Sequence, residues 1–235
     1  MRAQTVGTVL IGLLVAATAS ADQIPSPTMP SARALRFFER LSPEVDKVLR
    51  LLRPTAIGPG ARRRVLASLP PKGTLRPNAN EAAKLASLET VLVYHERHHV
   101  FETKVIDVPQ AAFSLRGRAI LLISRSALRL LSATDVVALV AHEVGHEYFW
   151  DEYQAASIRR DAATLQEVEL KCDGIAVLTL IALGLDPATL DGASRKLTRF
   201  NGDRGATANV GEYPGLAERA WFLRRMIELR SDRKR

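Results

Sequence analysis

The sequence has one cysteine and no hydrophobic run long enough to cross a bilayer after the N-terminal region. Cys172 is the only cysteine in 235 residues, which excludes an intramolecular disulfide. A spanning helix needs about 20 apolar residues, and the run at 175–183 is short and interrupted by Thr179. The sequence also has no internal repeat. We therefore expect neither a disulfide scaffold nor a transmembrane segment in the mature chain.

The N-terminus has the composition of a secretory signal peptide. Arg2 supplies a positive charge, residues 6–19 are apolar, and Ala19-Ser20-Ala21 fits a small-residue cleavage site. We expect residues 1–21 to be removed on export, to the periplasm or the medium. An uncleaved N-terminal membrane anchor is the alternative.

The remainder has the composition of one globular domain with a basic surface. Residues 22–30 contain three prolines and predict an extended linker, and 31–235 are long enough to bury a sizeable core. The formal net charge of +8 favours weak attraction to anionic surfaces. The basic residues are scattered except at 62–64 and 233–235, and no nucleic-acid motif accompanies them. We expect a solvated cationic face and no specific nucleic-acid partner.

The five histidines lie in two clusters, of which His142-Glu143-Val144-Gly145-His146 is the more informative. On a helix, residues i and i+4 share a face, so both imidazoles can reach one metal ion. Glu143 lies one step round the helix, where its carboxylate can reach a water on that ion. This is the His-Glu-x-x-His arrangement of zinc hydrolases, in which the ion lowers the pKa of its water to about 7 and the glutamate accepts the proton.

The second cluster, His95-Glu96-Arg97-His98-His99, has the same pattern in a different context. Residues 91–94 and 100–108 predict strands, in which positions i and i+4 lie about 13 Å apart. Before His142, by contrast, Ser132 precedes Asp135 by three residues and an apolar run follows, which predicts a capped helix. We therefore predict a metal helix for the first cluster. For His95, His98 and His99 we predict a solvated strand end or loop.

A catalytic zinc site needs a third protein ligand and leaves its fourth position to water. Residues 160–183 predict a buried helix that ends at Gly184. Glu169 and Asp173 lie one turn apart in it, and buried carboxylates are costly unless they are paired or bind a metal. We predict that Glu169 is the third ligand and that Asp173 orients a ligand imidazole. The alternative is a solvated first turn containing Glu167 and Glu169.

His142-Glu-x-x-His146 followed by Glu169-x-x-x-Asp173 resembles the glutamate-liganded zincins, or gluzincins. More narrowly, it resembles the metallopeptidase family of the CAAX prenyl endopeptidases and HtpX-type quality-control proteases. The similarity runs from about residue 90 to 230. It includes a late Tyr213-Pro214…Arg219 element that is similar to the family's His-Pro…Arg. The chain departs from the family at Tyr213, which replaces His, and at Cys172, which replaces Ala.

The resemblance implies a zincin-like endopeptidase that holds one Zn²⁺ and hydrolyses a protein or peptide substrate. His142, His146 and Glu169 would then be ligands and Glu143 the general base, with Tyr213 or Arg219 facing the oxyanion. Residues 118–124 are the expected sheet edge, which would take an extended peptide by strand addition.

Two other functions stay open. One is a non-catalytic zinc-binding scaffold or chaperone-like protein, which the replacement at Tyr213 supports. The other is a basic protein with a purely structural metal, for which Cys172 would have to approach the ion as a fourth ligand.

The expected fold class is α+β, mostly helical, with a small sheet beside the metal-binding helix. Residues 90–123 are predicted to contain the strands, with a turn at Arg116-Gly117, and Ser42-Pro43 is predicted to cap a helix. The predicted helices cover residues 31–41, 42–53 (the helix that Ser42-Pro43 caps), 133–151 and 160–183, a segment after Asp186-Pro187, and a segment from Leu216 to Ile227. Residues 54–80 are predicted to be a loop region with one short element near 62–69, and residues 201–215 a loop.

Overall fold

A computed structural model describes residues 28–41, 44–69, 73–205 and 213–231. The predicted signal peptide, most of the predicted linker, the Ser42-Pro43 cap and the basic C-terminus lie outside these residues. The described chain is α+β and mostly helical, with one four-stranded sheet. The predicted fold class is confirmed at this level.

The described residues form eleven helices and four strands. The helices are α1 (Met29–Glu39), α2 (Val45–Leu52), α3 (Pro59–Ala67), α4 (Ala79–Ala86), α5 (Glu89–Tyr94), α6 (Arg125–Leu130), α7 (Ala133–Tyr148), α8 (Trp150–Arg159), α9 (Ala162–Ala182), α10 (Thr189–Gly202) and α11 (Leu216–Ser231). The strands are β1 (Thr74–Leu75), β2 (Glu102–Ile106), β3 (Phe113–Arg116) and β4 (Ile120–Ser124).

The sheet has the order β1-β2-β4-β3. β4 pairs in parallel with β2 and antiparallel with β3. The predicted turn between β3 and β4 is confirmed, with Gly117 and Arg118 both in the left-handed region at φ 56°. The expectation that residues 118–124 form an edge is wrong, because β4 lies inside the sheet and β3 is the edge strand. Every residue of β4 is buried because apolar residues cover both faces of the sheet: Leu121 and Ile123 belong to the main core, and Ile120 and Leu122 to a second, smaller cluster.

α9 lies at the centre of the fold because its sequence is apolar on every face. Residues 168–180 are all buried, and α1, α2, α7, α8 and α11 pack around them. Phe38 of α1 lies directly against Gly174, where a Cβ would come within 2.4 Å of the ring. Despite the 21 residues of α9, no helix of the described chain combines the length and the hydropathy that a bilayer span requires.

Three local predictions are wrong. Residues 91–94 are helical rather than extended, and Val91, Leu92 and His95 are buried together at the i, i+1, i+4 spacing of a helix face. A four-residue apolar run has too few positions to distinguish the two periods. In the segment 54–80 the short element predicted near 62–69 is present as α3, but β1 and the start of α4 were not predicted. Asn201 is a buried residue of α10 rather than part of a loop.

Candidate metal centre

α7 begins where its capping residues predict. The Asp135 N–H donates to Ser132 Oγ over 3.1 Å, and the Ser132 N–H donates to Asp135 Oδ2 over 2.9 Å, which completes a capping box. His142 and His146 lie on the same buried face two turns later, with ring centroids 5.1 Å apart. One nitrogen from each ring and one carboxylate oxygen of Glu143 lie within 4.8 Å of one another.

α9 packs against this face of α7 at the level of the two histidines. The contact depends on Gly145, because a Cβ at this position would lie 2.7 Å from the Cα of Cys172. No side chain larger than hydrogen fits between the two backbones. The close approach brings Glu169 and Asp173 of α9 within reach of imidazoles that are 23 or more residues away in sequence.

The Glu169 carboxylate lies at ligand distance from both imidazoles. Its Oε2 is 3.4 Å from His142 Nε2, and its Oε1 is 3.6 Å from His146 Nε2. Zinc bonds to nitrogen and oxygen of about 2.0–2.1 Å place tetrahedral ligands about 3.4 Å apart. Each of the two nitrogen–oxygen distances is therefore close to the separation of two ligands on one zinc ion.

Four buried polar atoms in this region have no hydrogen-bond partner among the described residues. They are His142 Nε2, His146 Nε2, Glu169 Oε2 and Glu143 Oε2. Since the large majority of buried side-chain polar atoms in proteins are hydrogen-bonded, four such atoms in one place form a group that could hold a cation. Imidazole and carboxylate donors suit zinc, so the residues fit the metal that the motif predicts.

Asp173 and Arg219 support His142 from the side opposite Glu169. His142 Nδ1 donates to Asp173 Oδ1 over 2.8 Å, and Arg219 Nε donates to Asp173 Oδ2 over 2.9 Å. A second nitrogen of Arg219 donates to Asp173 Oδ1. The family resemblance implied that Tyr213 or Arg219 faces an oxyanion; in the structure the Arg219 guanidinium pairs with Asp173. A buried carboxylate needs such a partner, and Asp173 is fully buried.

The pKa values of His142, Glu143 and His146 on α7 are shifted in different ways. Burial disfavours a charged imidazole, but Asp173 and Glu169 outweigh it and raise the pKa of His142 to about 10. His146 has no carboxylate on its Nδ1, and burial lowers its pKa to about 4. Burial raises the pKa of Glu143 to about 7. The neighbouring carboxylates therefore favour the protonated imidazole at His142, whereas burial favours the neutral imidazole at His146.

The sheet edge β3 lies beside Glu143. Ser124 N–H donates to Ala112 C=O, so by antiparallel alternation the backbone groups of Phe113 and Leu115 face away from β4. The Leu115 N–H contacts the Glu143 carboxylate and favours its ionised form. The edge strand therefore runs past the carboxylate that the motif assigns as the base.

Tyr213 and Cys172, two candidate residues from the sequence, lie in different environments. Tyr213 is half-buried in a bend immediately before Pro214 and α11, next to residues that the structure does not describe. Cys172 is fully buried, with its Sγ 3.5 Å from His146 Nδ1. This is the ring nitrogen opposite the one that faces Glu169, so Cys172 could not be a fourth ligand of an ion held at Nε2.

The second cluster is partly buried and is attached to α7. The expectation that all three of its histidines are solvated is wrong. His98 and His99 are exposed, as expected, but His95 and Arg97 are buried. Arg97 Nε donates to Glu147 of α7, and another nitrogen donates to the Pro54 carbonyl. The buried Glu147 requires this cation. No sequence signal other than its position directly after His146 marked Glu147.

His95 connects α7 to α9 through a directed hydrogen-bond chain. The Thr179 hydroxyl donates to the Ile175 carbonyl over 2.8 Å, so it must accept from His95 Nε2–H, 2.9 Å away. His95 Nδ1 then accepts from the Tyr148 hydroxyl over 2.8 Å. Burial lowers the pKa of His95 to about 3, which keeps the ring neutral.

Neither a model of a known protein family nor a curated protein sequence matches the chain. The geometry above and the residue pattern are therefore the basis for a functional assignment.

Proposed function

We propose that the chain is a zinc-dependent endopeptidase of the gluzincin type, with His142, His146 and Glu169 holding the ion. The observation that carries the proposal is the convergence of four buried, partnerless polar atoms contributed by two helices. Glu143 supplies one of these atoms and provides a carboxylate next to the proposed metal position. If the His-Glu-x-x-His sequence had arisen by chance, we would not expect a carboxylate from another helix to lie beside both of its imidazoles.

The proposed chemistry is hydrolysis of a peptide bond. When bound, the zinc ion supplies Lewis-acid polarisation of the scissile carbonyl and makes a water acidic. Glu143 accepts a proton from the attacking water at its carboxylate and gives it to the leaving amine. A group whose pKa lies near neutrality serves both roles at pH 7, and burial raises the pKa of Glu143 to about 7.

Other residues of the proposed active site position these groups. The Asp173 carboxylate fixes the proton of His142 on Nδ1 and leaves Nε2 for the metal. Arg219 keeps Asp173 ionised, because the Arg219 guanidinium and His142 lower the Asp173 pKa although burial alone would raise it. We assign Arg219 a positioning role through Asp173.

The proposed substrate is a protein or peptide bound in extended form along β3. The outward N–H and C=O of Phe113 and the outward C=O of Leu115 provide an edge for strand addition next to Glu143, which the Leu115 N–H already contacts. This edge replaces the 118–124 edge expected from the sequence. Main-chain pairing of this kind gives affinity without selecting side chains.

We further propose that the protein is exported and that residues 1–21 are removed. N-terminal sequencing of the mature protein from its native cells tests this proposal, and we expect a start near residue 22.

The decisive experiment compares the two acids that follow the first histidine of each cluster. Glu143→Gln should retain one zinc per chain and lose casein hydrolysis by at least about 10²-fold. Glu96→Gln is the matched control, since Glu96 is exposed and outside the site. It should leave both zinc content and hydrolysis unchanged. Full hydrolysis by Glu143→Gln would refute the mechanism.

Burial of the site favours a second candidate function, a zinc-binding protein without peptidase activity. None of His142, Glu143, His146 and Glu169 is more than 2% exposed, so a substrate must open the site before it reaches Glu143. Digestion of unfolded casein with and without a chelator separates the two functions. Stoichiometric zinc without chelator-sensitive hydrolysis would identify the binder.

A further inference from the structure

The two proposed ligand imidazoles have unequal partners on the nitrogen that faces away from the metal position. His142 Nδ1 lies 2.8 Å from an Asp173 carboxylate oxygen that is itself paired with Arg219. His146 Nδ1 lies 3.5 Å from the Sγ of Cys172. Metal-binding histidines almost always donate this N–H to a carboxylate, a carbonyl or a water. A thiol in this place is unusual.

The direction of the contact follows from the ring's other nitrogen. His146 Nε2 is buried without a hydrogen-bond partner and faces Glu169. A lone pair at Nε2 suits a metal, and it places the proton on Nδ1, so Nδ1–H donates and Cys172 Sγ accepts. Sulfur is a weak acceptor.

Packing holds both partners in place. Gly145 lies against the backbone and Cβ of Cys172, which fixes the thiol between α7 and α9. Tyr153 contacts the His146 ring edge-on, with centroids 5.7 Å apart. Cys172 is fully buried and His146 is only 1% exposed. The His146 imidazole therefore lies between the Tyr153 ring and the Cys172 sulfur.

We propose that Cys172 is a positioning residue for His146, whose Nδ1–H it accepts, and that this weak acceptor sets the zinc affinity of the site. The inference rests on the proposed zinc site and deepens it. Because a thiol polarises the imidazole less than a carboxylate does, His146 is the weaker of the two nitrogen ligands. Zinc affinity should then change in both directions, according to what replaces the sulfur.

The test measures the zinc dissociation constant of the full chain by competition with a chromophoric chelator. Cys172→Ala removes the acceptor and should weaken zinc binding by about 10-fold, the lower end of the loss seen when such partners are removed. Cys172→Asn has nearly the volume of cysteine and carries an oxygen that reaches further from Cβ. It should bind zinc more tightly than Cys172→Ala and at least as tightly as wild type.

Leu178→Ala is the matched control, because it leaves a larger cavity in the buried part of α9 further along the helix. It should lower the melting temperature of the protein without changing the zinc dissociation constant. Equal dissociation constants for wild type and Cys172→Ala would overturn the inference, as would an equal shift in Leu178→Ala. Absence of stoichiometric zinc from the wild-type chain would instead refute the proposed function, so the two failures are distinguishable.

Discussion

His142 and His95 each begin a His-Glu-x-x-His sequence, yet their ring nitrogens have opposite environments. In His95 both nitrogens pair with hydroxyl groups, from Tyr148 and Thr179. In His142 one nitrogen pairs with Asp173 and the other has no hydrogen-bond partner. The difference shows that a buried histidine becomes a candidate ligand through the nitrogen that the protein leaves unsatisfied.

The two clusters also act on the same helix. Arg97 of the second cluster pairs with Glu147, one residue after His146, and His95 contacts Tyr148. The second cluster therefore holds the C-terminal end of the helix that contains the first. The second cluster contributes to stability and helix placement, whereas the first carries the proposed chemistry. Four substitutions test this division, in decreasing order of expected effect.

Removal of the ligand from α9 should have the largest effect. Glu169→Ala deletes the only carboxylate within 3.6 Å of both Nε2 atoms in the described residues and should abolish stoichiometric zinc binding. The paired change in the other cluster, His98→Ala, removes an exposed imidazole and should leave zinc content intact. Elemental analysis of the purified proteins measures both. Zinc retained by Glu169→Ala would place the third ligand elsewhere.

Arg97→Met should be the most destabilising change in the second cluster. It leaves the buried Glu147 carboxylate with only the partial support of Arg118, 3.2 Å away, and breaking a buried pair costs about 3–5 kcal/mol. Denaturant unfolding measures the loss. The exposed pair Arg225–Glu228 supplies the contrast, because Arg225→Met should change the free energy of unfolding by less than about 1 kcal/mol. Similar losses of unfolding free energy in both variants would contradict the conclusion that Arg97 stabilises the fold through Glu147.

His95 should make stability depend on pH in a defined window. Its pKa is about 3 in the folded chain and about 6.5 when unfolded, so between these values only the unfolded state binds the proton. Stability is then lost as pH falls from 6.5 towards 3, by about 1.4 kcal/mol per unit. Above pH 6.5 the group contributes no pH dependence. The difference between wild type and His95→Gln, measured by unfolding at several pH values, isolates this slope, and parallel curves would exclude it.

Thr179→Val should have the smallest of the four effects. It removes the hydroxyl that accepts from His95 Nε2–H and leaves that buried donor unpaired, at a cost of about 1–3 kcal/mol. Zinc content should not change, because Thr179 lies more than two turns beyond Glu169 on α9. Unfolding and metal analysis of the same sample test both parts. A loss of zinc would mean that the two clusters are not separable.

Local sequence patterns predicted the elements that carry the site. The Ser132–Asp135 capping box, the spacing of His142 and His146, and the apolar run ending before Gly184 each have a short-range physical cause. Residues 91–94 were mispredicted because a short apolar run fits a helix and a strand equally well. The edge strand was mispredicted because strand order depends on pairing across the sheet.

The sequence by itself determined which residues have metal-binding chemistry, since donor type and helical spacing are local properties. Only the tertiary structure decided which histidines keep a free ring nitrogen, that Arg219 pairs with Asp173, and that Cys172 contacts His146. These outcomes depend on how α7 and α9 approach each other at Gly145. The physical reason is that burial and hydrogen bonding are set by neighbours that are distant in sequence, which no single segment specifies.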